Sequence, residues 1–578
     1  MAYDSDLATN KLALRCDGIP NRQELGKLIE LFNLGQFNEV ENLAKPLTDN
    51  FPTHGFCWHA LGASLNQMGR YKDALAPLLN AVKLLPFDSD VHNNLGITLR
   101  NLGRLDEAEA SCLKALEIKP DHPGAFNTLG NILKDLCLLK DAEACFSRAL
   151  KIKPNYPEAY NNLGNVLRDL GRFSEAEASY RQALQIKSDY VEAHSNLART
   201  LSDLGRLDEA EEQYRSALEI KPDFVTAYLN LAALHSQAGR VNEAESCRDN
   251  AFHIQRVFLE GPSEASCRVL ILCVGRTSSG NVPVEELFSD KSYCRIKYHI
   301  DYADDKEDMN LPPFDLVFNA VGDPDVAEPV VERLERFSIR CNRPLLNSPS
   351  MVNQTHRHQI ASLLSDIEGV LVAPCIRLET LHIFCADLTE RLASAGIEFP
   401  IIVRPIATHG GEGMILCESI DSLERYLHDA TGPYYLTSYY DYRNPDGYYR
   451  KYRIIFVDRE PFPYHLAISP KWLVHYFSSD MEENLWKIEE ERRFLLDPHT
   501  VLGTKAVAAI ATIGHRLDLD YGGVDFTLFP DGQVLVFEAN ATMLVHYEKE
   551  VGLLAHKNIH VQNIIDSFEV LLSHRAKT

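Results

Sequence analysis

Two carboxylates and one amide toward the carboxyl end of the chain have the spacing of a metal site. Asp525 lies in an alternating apolar run, Pro-Asp-Gly at 530–532 indicates a hairpin turn, and Glu538 and Asn540 follow two residues apart. Residues two apart on a strand leave the same face, and a hairpin sets its strands side by side. Such hard oxygen ligands suit Mg²⁺, which leaves other positions to water and phosphate. For this segment alone, the alternative is a surface hairpin with solvated acids.

A second run, from Phe399 to Leu416, joins a short apolar strand to a glycine-rich loop. The strand delivers the cation of Arg404, and the loop returns directly into another strand, so it can lay backbone N–H groups over phosphates. It lacks the lysine and the helix of a Walker loop. The loop residues that we expect to contact a nucleotide are His409, Gly410, Gly411 and Gly413.

Together the two runs resemble the ATP-grasp superfamily of the glutathione synthetase and D-alanine ligase type, over most of residues 268–578. The resemblance implies ATP and Mg²⁺ as cofactors, with the metal on Asp525, Glu538 and Asn540. Arg404 falls where the family usually has lysine; arginine keeps the charge and can fork onto phosphate oxygens. The implied chemistry is ligation of a carboxylate through an acyl phosphate, forming ADP and phosphate.

Two further stretches extend the resemblance. Residues 435–439 resemble the hinge whose backbone reads adenine, and residues 450–460 resemble the strand whose arginine reaches the phosphates. Lys451 and Arg453 share one face of that strand. The alternative to a phosphate contact is that both side chains are simply exposed to solvent. The implied nucleotide contacts are Arg357, Arg404, Leu436, Thr437, Ser438, Tyr439 and Arg453, and the implied catalytic residues are Arg404, Lys451 and Arg453.

The family pattern does not dictate a cluster of basic and aromatic residues at His465, Lys471, Trp472 and His475. Imidazoles that titrate near neutral pH and a lysine could orient an acyl acceptor or bind an anion. The alternative is a half-buried strand and loop with aromatic packing. A zinc site is disfavoured, because the two histidines lack the close spacing of a metal pair and have no nearby cysteine.

The first half of the chain is governed by a repeat. Leu-Gly or Leu-Ala recurs every 34 residues from Leu61 to Leu231, and this is the period of tetratricopeptide repeats. Glycines hold the same phase at the turn within each unit, with Cys137 as the one exception. The phase gives about seven units, and the first, near 23–56, is degenerate and is expected to cap the array.

An asparagine precedes the Leu-Gly or Leu-Ala pair in four repeats, at Asn94, Asn162, Asn196 and Asn230. Amides repeated at a fixed rise could hydrogen-bond the peptide groups of an extended chain in the concave groove. In this respect the array resembles the tetratricopeptide domain of O-linked N-acetylglucosamine transferases, where such asparagines hold protein substrates. The alternative is that they make structural contacts between repeats.

These patterns predict a multidomain protein, with an all-α tetratricopeptide solenoid followed by an α/β ATP-grasp fold and a parallel α/β lobe preceding it. Buried-strand runs from Arg268 to Gly275 and from Phe314 to Asp323 indicate that lobe. The expected divisions are an N-terminal segment (1–22), the solenoid (23–260), a linker (261–267), the α/β lobe (268–350) and the ATP-grasp lobes (351–578).

Composition agrees with this division. The chain has 578 residues, 45% of them hydrophobic, which is enough for several cores. Its net charge of −24 disfavours nucleic acid as a partner. Thirteen cysteines without CxxC pairs, no apolar leader and no run of membrane-span length predict a cytoplasmic protein that does not bind a membrane.

The function expected from these features is that of an ATP-dependent carboxylate–amine or related ligase whose tetratricopeptide groove recruits a peptide or protein for modification, with an amino-acid-like co-substrate. One alternative is a catalytically weakened nucleotide-binding scaffold or interaction module, because arginines replace the customary lysines. Another is a small-molecule ligase that uses the array for assembly. The sequence leaves the oligomeric state open.

Overall fold

The structure is a computed structural model of the chain. It describes residues 20–262, 265–276, 280–289, 292–379, 385–406, 408, 413–429 and 432–577. By its internal contacts the chain divides into two compact units, Met1–Cys247 and Arg248–Thr578.

The first unit is all-helical, which confirms the expected repeat array. Among the described residues, consecutive helices form antiparallel pairs at intervals of 34 residues. The helices are α1 Arg22–Asn33, α2 Phe37–Asn50, α3 Gly55–Gln67, α4 Tyr71–Leu84, α5 Ser89–Asn101, α6 Leu105–Ile118, α7 Pro123–Asp135, α8 Leu139–Ile152, α9 Pro157–Asp169, α10 Phe173–Ile186, α11 Val191–Asp203, α12 Leu207–Ile220, α13 Val225–Gln237 and α14 Val241–Ile254, the last of which contains the boundary between the units.

The glycine of each Leu-Gly pair admits a side chain from the second helix of its repeat. A Cβ on Gly130 would lie 2.8 Å from the ring of Phe146, and one on Gly164 would lie 2.6 Å from the ring of Tyr180. Both rings are fully buried. The small residue is therefore required by close packing between the two helices.

The turn within each repeat needs a left-handed backbone. The glycines at this position have φ between 72° and 76°. Cys137 takes the same place at φ 62°, where an L-residue is strained. Cys137, the exception seen in the sequence, therefore replaces the glycine while keeping the left-handed backbone conformation of the turn.

Ion pairs join successive repeats at these same turns. Arg206 Nη1 lies 2.7 Å from Glu177 Oε2, and Arg240 Nη2 lies 2.8 Å from Glu211 Oε2. Each glutamate is on the second helix of the preceding repeat. The pairs are half-exposed, so each adds only a little to the stability of the stack.

The second unit is a mixed α/β region, as expected. Its strands are β1 Val257–Glu260, β2 Arg268–Cys273, β3 Cys294–His299, β4 Leu316–Asn319, β5 Leu345–Leu346, β6 Val370–Val372, β7 Cys375–Leu378, β8 Ile401–Pro405, β9 Ile415–Cys417, β10 Tyr434–Ser438, β11 Tyr449–Val457, β12 Glu460–Ser469, β13 Tyr521–Leu528 and β14 Val534–Asn540. Its helices are α15 Pro324–Ala327, α16 Val331–Arg340, α17 Pro349–Asn353, α18 Arg357–Leu364, α19 Cys385–Ser394, α20 Ile420–Asp429, α21 Leu485–Leu496, α22 Pro498–Leu502, α23 Thr504–Leu517 and α24 Asn558–Arg575.

The described strands form three sheets, in the orders β1-β3-β2-β4-β5, β7-β10-β8-β9 and β12-β11-β13-β14-β6. In the first sheet, β2 lies parallel to β3 and to β4, and β4 lies parallel to β5. The third sheet is antiparallel except where β14 pairs with β6. Leu466, Val524 and Phe526 from this sheet and Ile513 from α23 belong to one apolar core. No helix in the described part of the chain is long and apolar enough to cross a bilayer.

Candidate functional site

Four titratable side chains form one row across the third sheet. His465 on β12 is the register partner of Arg453 on β11, Arg453 that of Asp525 on β13, and Asp525 that of Glu538 on β14. Directly opposed residues of antiparallel strands share a face of the sheet. The four groups therefore face one side, and we call them the cross-strand row.

Two bulges create this row. Between β11 and β12, Ile454 pairs with Pro463, but the next residue, Arg453, pairs with His465. Tyr464 is therefore the extra residue of β12. Between β13 and β14, Phe526 pairs with Val536, but the neighbouring Asp525 pairs with Glu538. Phe537 is therefore the extra residue of β14. A bulge changes which side chain faces the partner strand. Without these shifts, Tyr464 and Phe537 would occupy the places of His465 and Glu538.

A tight hairpin fixes the register of β12. Asp458 and Arg459 have φ of 49° and 73°, and Val457 pairs with Glu460 across them. Two successive residues of positive φ suit the right-handed twist of a two-residue hairpin. Counting from this turn and its bulge places His465 opposite Arg453.

Asp525 is 2% exposed and is held by two cations. Arg453 donates from Nε to Oδ1 at 2.6 Å and from Nη2 to Oδ2 at 2.8 Å, and Lys451 Nζ donates to Oδ2 at 3.0 Å. Burial by itself would raise the pKa of Asp525, but the two positive charges outweigh it and hold this pKa far below the usual range. Asp525 is thus an ionised buried carboxylate.

Glu538 is compensated by the other two cations of the site. Arg357 Nη2 contacts Oε1, and Arg404 Nη1 lies 3.8 Å from Oε2. Burial opposes ionisation of Glu538, yet the charges of Arg357 and Arg404 lower its pKa to about 2. The pKa of Arg404 is itself lowered to about 10, by burial first and by the neighbouring charge of Arg357 second.

Asn540 also lies at this point, with its amide turned toward the carboxylate. Nδ2 donates to Glu538 Oε1 at 2.6 Å, while Oδ1 accepts from the backbone N–H of Thr542 at 3.0 Å. The three residues expected to bind a metal are therefore brought together. Binding through the amide oxygen would require the Asn540 amide to rotate, because a metal ligand is an oxygen and not an N–H.

These groups line a single cavity of about 550 Å³, a volume typical of small-molecule sites. The donor set fits the implied group: two ionised carboxylates and an amide suit Mg²⁺, and nearby cations suit a triphosphate. The lining of this cavity has four cations and four carboxylates, and its charged and amide residues are Asn281, Asp323, Asp325, Arg357, Arg404, Lys451, Arg453, Asp525, Glu538 and Asn540.

The expected hinge, residues 435–439, brings side chains to the cavity, but two of its backbone amides already have hydrogen-bond partners. Thr437, Ser438 and Tyr439 line the cavity, whereas Leu436 is fully buried in the core around β10. The amides of Ser438 and Tyr439 donate to the carbonyls of Pro374 and Pro400 at 3.1 and 2.9 Å. Those two amides could therefore read an adenine only by exchanging their present acceptors.

Part of the glycine loop is described. Gly413 has φ 68°, and a Cβ there would lie 2.9 Å from Pro405, so glycine is needed on two grounds. Arg404 Nη2 donates to the Thr408 carbonyl, which holds the guanidinium at the base of the loop. The other loop residues expected to contact nucleotide, His409, Gly410 and Gly411, lie outside the described residues.

The basic and aromatic cluster is divided by the structure. His475 lines the large cavity, and His465 is 5% exposed with its ring stacked 4.6 Å from that of Tyr476. Lys471 was expected here, but it follows the end of β12 and is exposed, outside the residues that line the cavity. Lys471 is therefore corrected to a surface lysine of the turn after β12.

The cavity has an aromatic wall, of which sequence reasoning named Tyr439 and Trp472 but missed Tyr442 and Phe537. Trp472 lies edge-on to Tyr439 at 5.7 Å, and Tyr442 lies 4.9 Å from Phe537. Phe537 reaches the cavity because it is the bulged residue of β14. A regular strand would direct Phe537 and Glu538 to opposite faces, so the sequence offers no signal that Phe537 belongs to this wall.

In the first unit, three of the expected groove asparagines hydrogen-bond to the preceding repeat. Asn162 Nδ2 donates to Asn127 Oδ1 at 3.0 Å, Asn196 Nδ2 donates to Asn161 Oδ1 at 2.9 Å, and the Asn94 amide lies 2.8 Å from a ring nitrogen of the preceding repeat. The contacts between repeats that the sequence left as an alternative are therefore present. Each of these amides keeps a second N–H for a ligand.

Asn230 has a different partner. It lies near Tyr214, whose pKa is raised to about 12 by burial, while the Asn230 amide acts to lower that pKa. Tyr214 lies on α12, the second helix of the preceding repeat. The four asparagines thus share a place in the repeat but not one bonding pattern.

Comparison with known proteins identifies the repeats of the first unit. Residues 89–122 match one tetratricopeptide-repeat family model, and residues 125–189 and 155–223 match another. This part of the chain therefore contains tetratricopeptide repeats, the class of helical repeat that commonly binds peptides or proteins. No curated protein matches the chain.

Several solved structures are similar to the chain. They include the Cut9–Hcn1 hetero-tetramer of the APC/C (16% identity, TM-score 0.37, 39% of this chain and 45% of that chain), YrrB, a TPR protein with an unusual peptide-binding site (25%, 0.26, 31% and 92%), and a thermophilic TPR protein from Thermus thermophilus (28%, 0.29, 31% and 98%). The chain thus spans less than half the length of the Cut9–Hcn1 chain that it matches.

Proposed function

We propose that the second unit is an ATP-dependent carboxylate ligase of the ATP-grasp type, forming ADP and phosphate through an acyl phosphate. The observation that carries this proposal is the pairing of Asp525 with Glu538 on one face, with four cations around them in one cavity. A structural ion-pair cluster needs no cavity of this size. A site for a metal-bound triphosphate needs carboxylates to hold the metal and cations to contact the phosphates, and this cavity brings both together.

When bound, Mg²⁺ would supply charge neutralisation at the phosphates, held by Asp525, Glu538 and the rotated amide of Asn540. Arg404 and Arg453 would then turn from their carboxylates toward the phosphate oxygens, where they balance charge that develops during transfer. Lys451 would supply a third positive charge at the same place. The chain's role is mainly to position the reactants and to exclude water.

The co-substrates follow from the chemistry of the cavity. A carboxylate to be activated and an amine or related nucleophile must meet beside the phosphates. The aromatic wall of Tyr439, Tyr442, Trp472 and Phe537 offers apolar surface for a base or a substrate side chain. An amino-acid-like co-substrate fits these features.

We further infer that the tetratricopeptide groove recruits a peptide or protein substrate. Asn94, Asn162 and Asn196 are held in place by their inter-repeat hydrogen bonds and retain donors for an extended chain. A cytoplasmic location is part of this proposal. Among the cysteines that the structure describes, Cys57, Cys112 and Cys273 are buried thiols outside any disulfide, which agrees with a reducing compartment.

One alternative is supported by a specific observation. Arg357 and Arg404, which the resemblance sets where the family has lysines, both contact Glu538. If these pairs persist with nucleotide bound, the unit would be an ATP-responsive scaffold without turnover. The two functions differ in whether ADP is released.

The test is ADP release by the full chain with Mg-ATP, while amino acid mixtures and extract fractions are screened for stimulation. Glu538→Gln should abolish the stimulated rate, whereas Glu489→Gln, at an exposed position of α21, should leave it unchanged. Stimulated release that depends on Glu538 supports the ligase. Tight ATP binding with no turnover for any fraction would favour the scaffold.

A further inference from the structure

The segment that follows the last strand of the third sheet forms one side of the large cavity. This segment, residues 541–557, runs from the end of β14 to the start of α24, and we call it the strap. Thr542, Met543 and Leu544 of the strap line the cavity. Leu544 is 38% exposed, so this part of the wall reaches solvent. A displacement of the strap would therefore change both the shape of the cavity and its access to solvent.

A fully buried carboxylate ties the far end of the strap to the sheet. Glu491 of α21 accepts through Oε1 from the backbone N–H of Leu466 at 3.1 Å. Its Oε2 accepts from the Tyr476 hydroxyl at 3.2 Å and lies 3.2 Å from Nε2 of His556 in the strap. Leu466 is on the edge strand β12, directly after His465 of the cross-strand row. Glu491 therefore joins the strap to the strand that carries the outer end of the row.

The imidazole of His556 has an oxygen beside each of its ring nitrogens. Nδ1 lies 3.1 Å from the carbonyl oxygen of Leu553, and Nε2 faces the carboxylate of Glu491. A neutral imidazole has one N–H and one lone pair, so either tautomer directs its lone pair at an oxygen. One additional proton, on His556 or on Glu491, removes this conflict.

Burial makes the additional proton important. Nε2 of His556 is buried and has no hydrogen-bond partner among the described residues, so its contact with Glu491 is an ion pair and not an aligned hydrogen bond. Without the proton, Glu491 would be a buried charge that faces a lone pair, which is costly. The protonated pair is therefore the form that fits the observed structure.

The other ionisable groups near the pair have partners of their own. They are Tyr464, Tyr476, His546, Glu548, Lys557 and His560. Lys557 Nζ donates to Glu548 Oε1 at 2.7 Å, and His546 Nε2 lies 3.6 Å from the same oxygen. In the part of the chain that the structure describes, His556 is the one side chain that forms an ion pair with Glu491.

We propose that Glu491 and His556 share one proton and are positioning residues for the cavity. The protonated pair latches the strap in place, and loss of the proton at higher pH releases it. This inference concerns regulation of the cavity and goes beyond the proposed ligase function, because the latch operates without nucleotide. Its consequence is a cavity whose strap side is closed at lower pH and opens at higher pH.

The first test is hydrogen–deuterium exchange of the full chain without nucleotide, followed by mass spectrometry between about pH 5.5 and pH 8.5, where an imidazole changes its charge. The backbone amides of His546, Glu548 and Lys557 are hydrogen-bonded, so their exchange reports opening of the strap. Dividing the observed rate by the intrinsic rate removes the direct effect of pH on exchange. We expect protection of residues 541–557 to fall at least tenfold over this range, while that of α23 stays constant. Strap protection that does not change with pH overturns the proposal.

Isosteric variants separate the shared proton from a general loss of stability. Glu491→Gln keeps an acceptor for Leu466 and offers an N–H to Nε2 of His556, so its strap should stay protected at high pH. His556→Gln removes the titrating group and should also abolish the pH dependence. Glu489→Gln and His499→Gln, at exposed positions of α21 and α22, are the matched controls and should behave as wild type.

A wild-type pH profile in Glu491→Gln would assign the opening to another group and overturn the proposal. If a variant does not fold, the wild-type measurement still decides whether the strap responds to pH.

Failure of the ligase function would look different, because it is read from ADP release and not from hydrogen exchange. Stimulated ADP release with constant strap protection leaves the ligase and removes the latch. A strap that opens with rising pH, in a chain that never releases ADP, leaves the latch and removes the ligase.

Discussion

At the residue scale, the arrangement of charge predicts how the site responds to metal. Asp525 and Glu538 are already compensated by Arg453, Lys451 and Arg357. Mg²⁺ alone would have to displace these cations, which would then lie buried without partners, and this is costly. Mg-ATP supplies phosphates to receive them.

We therefore expect Mg-ATP to raise the unfolding temperature of the second unit by several degrees, and Mg²⁺ alone to raise it by less than one degree. Differential scanning fluorimetry with Mg²⁺, with ATP plus EDTA and with Mg-ATP measures this. A large shift with Mg²⁺ alone would show that the ion pairs do not compete with the metal.

The pKa of Glu538 predicts a dependence of stability on pH. Because this pKa falls from its ordinary value of 4.5 to about 2 on folding, the stabilisation is fully present above pH 4.5 and is lost as pH falls toward 2. It amounts to about 3 kcal/mol at 1.36 kcal/mol per pKa unit. Glu538→Gln should flatten the decline in unfolding free energy between pH 4.5 and 3.

Urea unfolding followed by the fluorescence of Trp472 and Trp486 measures this effect, in a Trp58→Phe background that removes the signal of the first unit. Glu489→Gln is the control, because its exposed side chain should leave the slope unaltered. An identical pH slope in wild type and Glu538→Gln would contradict the assigned charge pairing.

At the element scale, the strained turn of one repeat predicts a stabilising substitution. Cys137→Gly places glycine at φ 62° and should raise the unfolding free energy of the array by about 1 kcal/mol, since glycine tolerates this region at little steric cost. The reverse change, Gly171→Cys, has open space for its side chain but the same backbone, so it should lower stability by a similar amount. Chemical denaturation of both variants decides the matter; a loss of stability in Cys137→Gly would mean that the thiol makes a contact worth more than the strain.

At the scale of the whole molecule, the division into two compact units with separate cores predicts two unfolding transitions. Mg-ATP should shift only the transition of the second unit. Asn196→Ala removes the hydrogen bond to Asn161 and should shift only that of the first, by about 1 kcal/mol. Differential scanning calorimetry separates the transitions, and a joint shift with either perturbation would reveal a single cooperative system.

Much of the first unit was determined by the sequence by itself. Its 34-residue period fixed the helix pairs and the places of the turns, because each repeat contacts mainly its neighbours. The sequence did not decide whether the groove asparagines bind a ligand or hydrogen-bond to the neighbouring repeat. That choice depends on the rise between repeats, which places Asn196 within reach of Asn161.

In the second unit the sequence named most of the charged residues of the cavity but not their arrangement. Strand alternation predicted that Lys451 and Arg453 share a face and that Glu538 and Asn540 share another. Only the tertiary structure decided that bulges at Tyr464 and Phe537 bring His465 and Glu538 into one row with Arg453 and Asp525. A bulge arises from packing between strands, which local sequence pattern does not encode. The row and the places of Tyr442 and Phe537 in the cavity wall therefore became visible only in the folded chain.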